Sequence, residues 1–329
     1  MQNNKTRAIV EGAIINGLYL IILMLALYTP LSFILVFVLP VPFIIYAKRN
    51  DLKSIIITAL AVFILSFLIG NLFFLSVSIF MVLPGIIMGI AYRKGVSAWT
   101  VIARGTFSYL LVYILYLAIA NYLFHMNLPN MILNMMDEGN KLVQSNMDAI
   151  LKSLPSEQNT PEYKQQWENV KQDINTTVVQ VKEIFIILMP SLLITSSFML
   201  AFVSHIISRR VFKRLGTSVQ GLPKFQDLHL PRWILYYYFI AFFILLFPDI
   251  KNYLFLYNVA MNGSYLLGIV LLVLGISVIT KYWIIRGWNR GIFTVLVLIL
   301  LFFTPFTQIF LYIGIIELLF NLRNRFSEK

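Results

Sequence analysis

Apolar runs of about twenty residues, separated by short polar connections, make up most of this chain. Residues 72–93 read LFFLSVSIFMVLPGIIMGIAYR, with no charge before the final arginine. A run of that length and character predicts a transmembrane helix. Residues 8–28, 31–47, 54–70, 105–124, 184–207, 233–247 and 259–280 are apolar runs of the same kind. Tight turns are expected at Thr29-Pro30 and at Asn71. Residues 292–320 form a longer block, about 43 Å as one helix at 1.5 Å per residue. That exceeds a hydrocarbon core of about 30 Å. Thr304-Pro305 interrupts the block near its middle. A hairpin of two short spans is therefore expected, giving about ten spans. One long kinked helix, giving nine, is the alternative. The expected fold class is all-α, a polytopic helical membrane protein.

Residues 125–183 break the pattern and are mostly polar. Ile132, Met135, Leu142, Met147, Ile150 and Leu154 recur at helical spacing, as do Tyr163, Trp167, Val170, Ile174, Val178 and Val181. Two amphipathic helices with a Pro-bounded turn at 155–161 predict an antiparallel hairpin. The second of them is expected to run directly into the span at 184–207. The organisation read from this pattern is a five-span half (1–124), a helical hairpin (125–183) and a sixth span (184–207). A basic loop (208–232) and a C-terminal span bundle (233–329) follow.

Composition changes this picture little. The chain has 329 residues, 59% apolar and 12% charged, against about 25% charged in a soluble domain. Cysteine is absent, which excludes disulfides, thiolate metal sites and cysteine nucleophiles. The net charge of +12 changes it more. With ten alternating spans and the N-terminus in the cytoplasm, 20 of the 26 Lys and Arg fall on cytoplasmic connections or termini. The excess therefore reads as a positive-inside signal in a cell-membrane protein, and no nucleic-acid partner is needed to explain it. Both termini are expected in the cytoplasm, with 125–183 extracytoplasmic.

Candidate chemistry is sparse. Small residues recur at four-residue spacing in Ala13-x-x-x-Gly17 and Gly85-x-x-x-Gly89, the second pair following Pro84. Such pairs let helix backbones approach, either within the chain or at a partner interface. Polar residues inside spans are costly and mark candidate cavities. Here they are Asn16, Asn121, Ser196, Asn258 and Asn262. Glu317 near the end of the last span has Arg323 as a candidate counter-ion. His125, His205 and His229 stand alone, and no HExxH, P-loop or GxGxxG motif occurs. No enzyme activity, metal or cofactor is expected.

Four stretches carry a family likeness: TRAIVEGAIINGLYL, FFLSVSIFMVLPGIIMGIAYRKG, SYLLGIVLLVLGISVITKYWIIRG and IGIIELLFNLRNRF. With these the chain resembles the YybS family of bacterial multi-pass membrane proteins, over nearly its whole length. Spans one to six are more distantly similar to the substrate-binding (S) components of energy-coupling-factor vitamin transporters. That likeness implies a six-span core whose first helix contacts a coupling subunit through small residues. Ala8-x-x-x-Gly12 and Ala13-x-x-x-Gly17 occupy that kind of position. The hairpin and the additional C-terminal spans depart from the pattern, and no vitamin-ligating motif carries over.

Two functional readings follow. One is a solute-binding or transport-related protein with an S-component-like core, taking a small-molecule ligand and a membrane partner docked on span one. The other is a non-transporting scaffold or regulatory partner, whose outer hairpin is the contact surface. The lipid bilayer is the surrounding partner in both.

Overall fold

The computed structural model describes residues 2–153 and 160–323. Most of the turn expected at 155–161, and the terminal charges Arg325 and Lys329, lie outside the described residues. Eleven α-helices run in chain order among those described. They are α1 (Gln2–Tyr28), α2 (Ser32–Leu35), α3 (Val41–Arg49), α4 (Leu52–Arg93), α5 (Ala98–Phe124) and α6 (Leu128–Ser153), followed by α7 (Pro161–Arg214), α8 (Trp233–Leu245), α9 (Leu254–Ile285), α10 (Arg290–Leu300) and α11 (Thr304–Phe320).

The burial pattern is inverted relative to a water-soluble protein. Phe302 and Phe255 are 89% and 82% exposed, while Ser66, Ser78, Ser204, Ser208 and Ser277 are fully buried. Such a broad apolar surface needs hydrocarbon around it. Five helices are long and apolar enough to cross a bilayer, and α10 with α11, bent by 113° at their junction, makes up to six. The protein is thus a helical membrane protein with several spans.

One helix holds a break that the sequence places well. α4 has 42 residues, but Gly70 and Asn71 leave helical dihedrals, with Asn71 at φ 64°. Asparagine tolerates positive φ better than most residues. Its side-chain oxygen also accepts from the Phe73 amide at 2.9 Å, which holds the turn. Ser78 on one arm donates to Ser66 on the other at 2.8 Å, so the two arms fold back on each other. The run at 31–47, expected as one span, is instead the four-residue α2 and the nine-residue α3 with turns between them, and neither is long enough to cross a bilayer. Pro84 does not break the second arm of α4, where the dihedrals stay helical.

The chain forms two compact units. One comprises Met1–Ile114, Leu193–Leu235 and Gly268–Lys329; the other comprises Leu115–Leu192 and Tyr236–Leu267. The first unit has a dense aromatic core in which Tyr19, Phe43, Tyr46, Tyr109 and Phe212 are fully buried. Within it α9 and α11 touch backbone to backbone. A β-carbon on Gly275 would overlap the Phe310 carbonyl, and one on Gly314 would overlap that of Leu271.

The second unit contains the expected helical hairpin. Lys182 pairs with Asp137 at 2.6 Å and Asn140 with Asn175 at 2.9 Å, and Lys171 pairs with Asp148. As the partner number rises on α6 it falls on α7, so the helices are antiparallel. No break separates the hairpin helix from the apolar run after it, and α7 continues to Arg214.

Candidate functional site

The first face to examine is that of α1. Ile9, Ala13, Asn16, Gly17 and Leu20 are spaced by three and four residues, which places them on one side of the helix. With Tyr46 of α3 and Ser54, Ile57, Thr58, Ala61 and Leu65 of α4 they line a groove of about 400 Å³. Its floor is polar. Asn16 is 5% exposed and donates through Nδ2 to the Thr58 carbonyl at 3.2 Å. Its Oδ1 is buried with no hydrogen-bond partner. Tyr46 closes one end by donating to the Ala8 carbonyl at 3.0 Å.

The small residues of α1 divide between two roles. Gly12 faces inward, where a β-carbon would come 2.5 Å from Thr58 Oγ1 and 3.1 Å from the Tyr46 hydroxyl. Gly17 faces the open groove and has no heavy atom within 4 Å of such a carbon. Ala13 is exposed beside it. At the mouth, Arg49 lies 3.5 Å from Glu11. Asp51, outside the apolar run, is held below its ordinary carboxyl range chiefly by the Ser54 hydroxyl.

The remaining candidates sit elsewhere. Gly85 and Gly89 are buried against α3. A β-carbon on Gly85 would lie 2.8 Å from the Pro40 carbonyl, and one on Gly89 would lie 2.6 Å from that of Ile44. Pro84 is buried on the same arm. Asn262 joins α9 to α7. It accepts from the Ser191 hydroxyl at 2.6 Å and donates to the Ile187 carbonyl at 2.8 Å. It also donates to the Asn258 carbonyl, while Asn258 Oδ1 is buried without a partner. Ser196 bonds only back along its own helix to Leu193, and Asn121 is exposed. Asn16 and Ser196 thus belong to the first unit, and Asn121, Asn258 and Asn262 to the second.

The chain matches one family of known sequences. The description "Predicted membrane protein (DUF2232)" fits residues 17–318. The chain belongs to the DUF2232 family. The expected likeness to YybS proteins is met by "Uncharacterized protein YybS" of Bacillus subtilis (strain 168). The two are 24% identical over 322 residues, covering 98% of this chain and 99% of the relative. No solved structure matches. The DUF2232 match takes in α1 from Gly17 onward, all of α3 and α4, and the groove they form except Ile9, Gly12, Ala13 and Asn16.

Two groove residues, Tyr46 and Thr58, escape a sequence reading because neither sits in a motif. A tyrosine two residues before the basic end of a span looks like an interface anchor, yet Tyr46 is fully buried. Among the described residues no group of three or more His, Cys, Asp or Glu is placed to hold a metal ion.

Proposed function

We propose that this chain is a partner-dependent, transport-related component of a cell-membrane complex, and that a partner's transmembrane helix seats in the α1–α4 groove. The observation that carries this reading is the apolar groove walled by Ala13 and Gly17, with the buried, unpartnered Asn16 oxygen just beneath it. An unsatisfied acceptor is expensive in hydrocarbon. A lipid tail offers it no donor, whereas a Ser, Thr or Asn side chain on a close-packed helix does. Gly17 leaves the space such a helix needs.

The aromatic packing of Tyr19, Phe43 and Tyr109 favours this docking role over capture of a solute at the centre of the first unit. The reading assigns no catalysis and no cofactor to the chain. It places both termini in the cytoplasm and the α6–α7 hairpin outside, in keeping with the distribution of Lys and Arg.

Absence of cysteine makes the test direct, since any introduced thiol is unique. Ala13→Cys, Gly17→Cys and the exposed off-groove control Leu18→Cys are each labelled with a maleimide–benzophenone reagent in native membranes and photolysed. The expected result is one discrete crosslinked product from the first two positions, absent from the control and weakened by Asn16→Leu. Equal products from all three positions, or none from the groove, would refute the docking role.

A further inference from the structure

The sequence SHIISRRVFKR near the end of α7 spaces His205, Arg209 and Lys213 four residues apart. Four-residue spacing stacks them on one helix face. The structure opens a cavity of about 280 Å³ there, lined by His205, Ile206, Arg209, Arg210, Lys213 and Leu222. A neighbouring hollow of about 390 Å³ shares Arg209 and Lys213 and continues along residues 216–219. The three cations are exposed, and none pairs with a carboxylate among the described residues. Gly221 of the following loop lies directly against the Arg209 guanidinium.

A basic helix end has an ordinary explanation. It offsets the helix dipole and marks membrane sidedness. Two observations exceed that explanation. The last carbonyls of α7 are already satisfied by a glycine cap. Gly216 stands at φ +70°, Thr217 donates to the Phe212 carbonyl at 2.9 Å and Gly216 donates to that of Lys213 at 3.3 Å. The basic side chains are therefore free to face the cavity. The second observation is the floor. His205 is 1% exposed, lines the cavity and has its Nε2 buried without a partner.

The other edge of that imidazole is occupied. Tyr92 of α4 has its hydroxyl 2.6 Å from His205 Nδ1, and the two rings stack with centroids 5.7 Å apart. Phe212 packs edge-on to Tyr92 and sits under the Lys48 ammonium, fixing the stack from the far side. With the Tyr92 phenol donating to Nδ1, the ring proton sits on Nε2, which is then a donor beneath the cavity. Three unit positive charges outweigh the roughly half negative charge of a helix C-terminus.

We propose that this cavity binds a phosphate-bearing anion, with Arg209, Arg210 and Lys213 at its rim and His205 Nε2–H at its floor. Guanidinium groups suit phosphate oxygens because they donate two parallel hydrogen bonds. An anionic phospholipid headgroup and a free phosphate compound share this chemistry, and the test separates them.

The full-length protein is purified in detergent and reconstituted in phosphatidylcholine nanodiscs. One arm measures phosphatidylglycerol retention by native mass spectrometry, with phosphatidylcholine as reference. The other arm titrates inorganic pyrophosphate calorimetrically into the nanodiscs. At least one probe should bind, and the responding arm names the source. The exposed pair Arg209→Gln/Lys213→Gln should weaken that binding at least about tenfold, as loss of one charge-assisted hydrogen bond does. The charge-matched pair Lys224→Gln/Arg232→Gln should leave it unchanged. His205→Phe should also weaken it, and the exposed pair carries the test if that variant does not fold. The proposal is overturned if neither probe binds, if both charge pairs weaken binding equally, or if folded His205→Phe binds as well as the parent.

Discussion

Ser78 donates a hydrogen bond to Ser66 at 2.8 Å although the two are twelve residues apart on what is nominally one helix. A straight helix would hold them about 18 Å apart at 1.5 Å per residue. The bond is possible only because Gly70 and Asn71 turn the chain back on itself. With Ser66→Cys and Ser78→Cys in the otherwise cysteine-free chain, mild oxidation should remove both free thiols as a disulfide, read by maleimide labelling and intact mass. A disulfide needs Cα atoms about 5.5–6 Å apart. Persistent double labelling would mean that the arms do not face each other.

The glycines of this protein differ in what surrounds them, and alanine should reveal it. Gly275→Ala drives a methyl into the Phe310 carbonyl, where backbone cannot step aside. A cost of about 3 kcal/mol is expected, the upper end for overpacking. Gly17→Ala meets nothing within 4 Å. It should raise stability by up to about 1 kcal/mol through helix propensity. Thermal unfolding of the two variants in the same detergent checks the contrast, and similar shifts in the two would contradict it.

Arg323, just beyond the end of α11, forms a buried ion pair at 3.2 Å with Glu317 in its last turn. Arg323 also donates to the Gln226 carbonyl at 3.2 Å and to the Ser277 hydroxyl at 3.0 Å, and Ser277 in turn donates to the Phe225 carbonyl. Burial lowers the Arg323 pKa, but the guanidinium stays charged because its pKa starts so high. Arg323→Met strands the carboxylate and should cost about 3–5 kcal/mol. Glu317→Leu combined with Arg323→Met should recover part of that loss. A thermal-stability cycle of the four proteins measures it, with additive losses arguing against the pair.

The proposed orientation has its own measurement. Ser145 of α6 and Ser218 after α7 are both exposed. With Ser145→Cys, intact cells should label with a membrane-impermeant maleimide. With Ser218→Cys, labelling should appear only after permeabilisation. The reverse pattern would invert the assigned sidedness.

Much of this architecture can be read from hydrophobic runs and their punctuation. The break at Asn71, the junction before Thr304, the amphipathic hairpin and its continuation into α7 all follow from local composition. Arg323 also stands close enough to Glu317 in sequence for its role to be anticipated. The groove and the basic cavity are harder to read, because their parts meet from distant segments. His205 and Tyr92 lie 113 residues apart, and neither belongs to a motif. Gly275 and Gly314 look ordinary because Gly275 is one of three glycines in its apolar run and Gly314 stands alone in its own. Their only local signal is that a glycine inside a helix costs about 1 kcal/mol, which asks for a compensating contact.

The tight reversal at Gly70-Asn71 also constrains how the protein enters a membrane. Two residues leave no hydrophilic segment that could be carried across while one arm waits for the other. Until the second arm is made, the first has neither its serine partner nor a polar end to rest at the far surface. The two arms must therefore be delivered to the lipid together, as a single insertion event driven by their joint apolar surface.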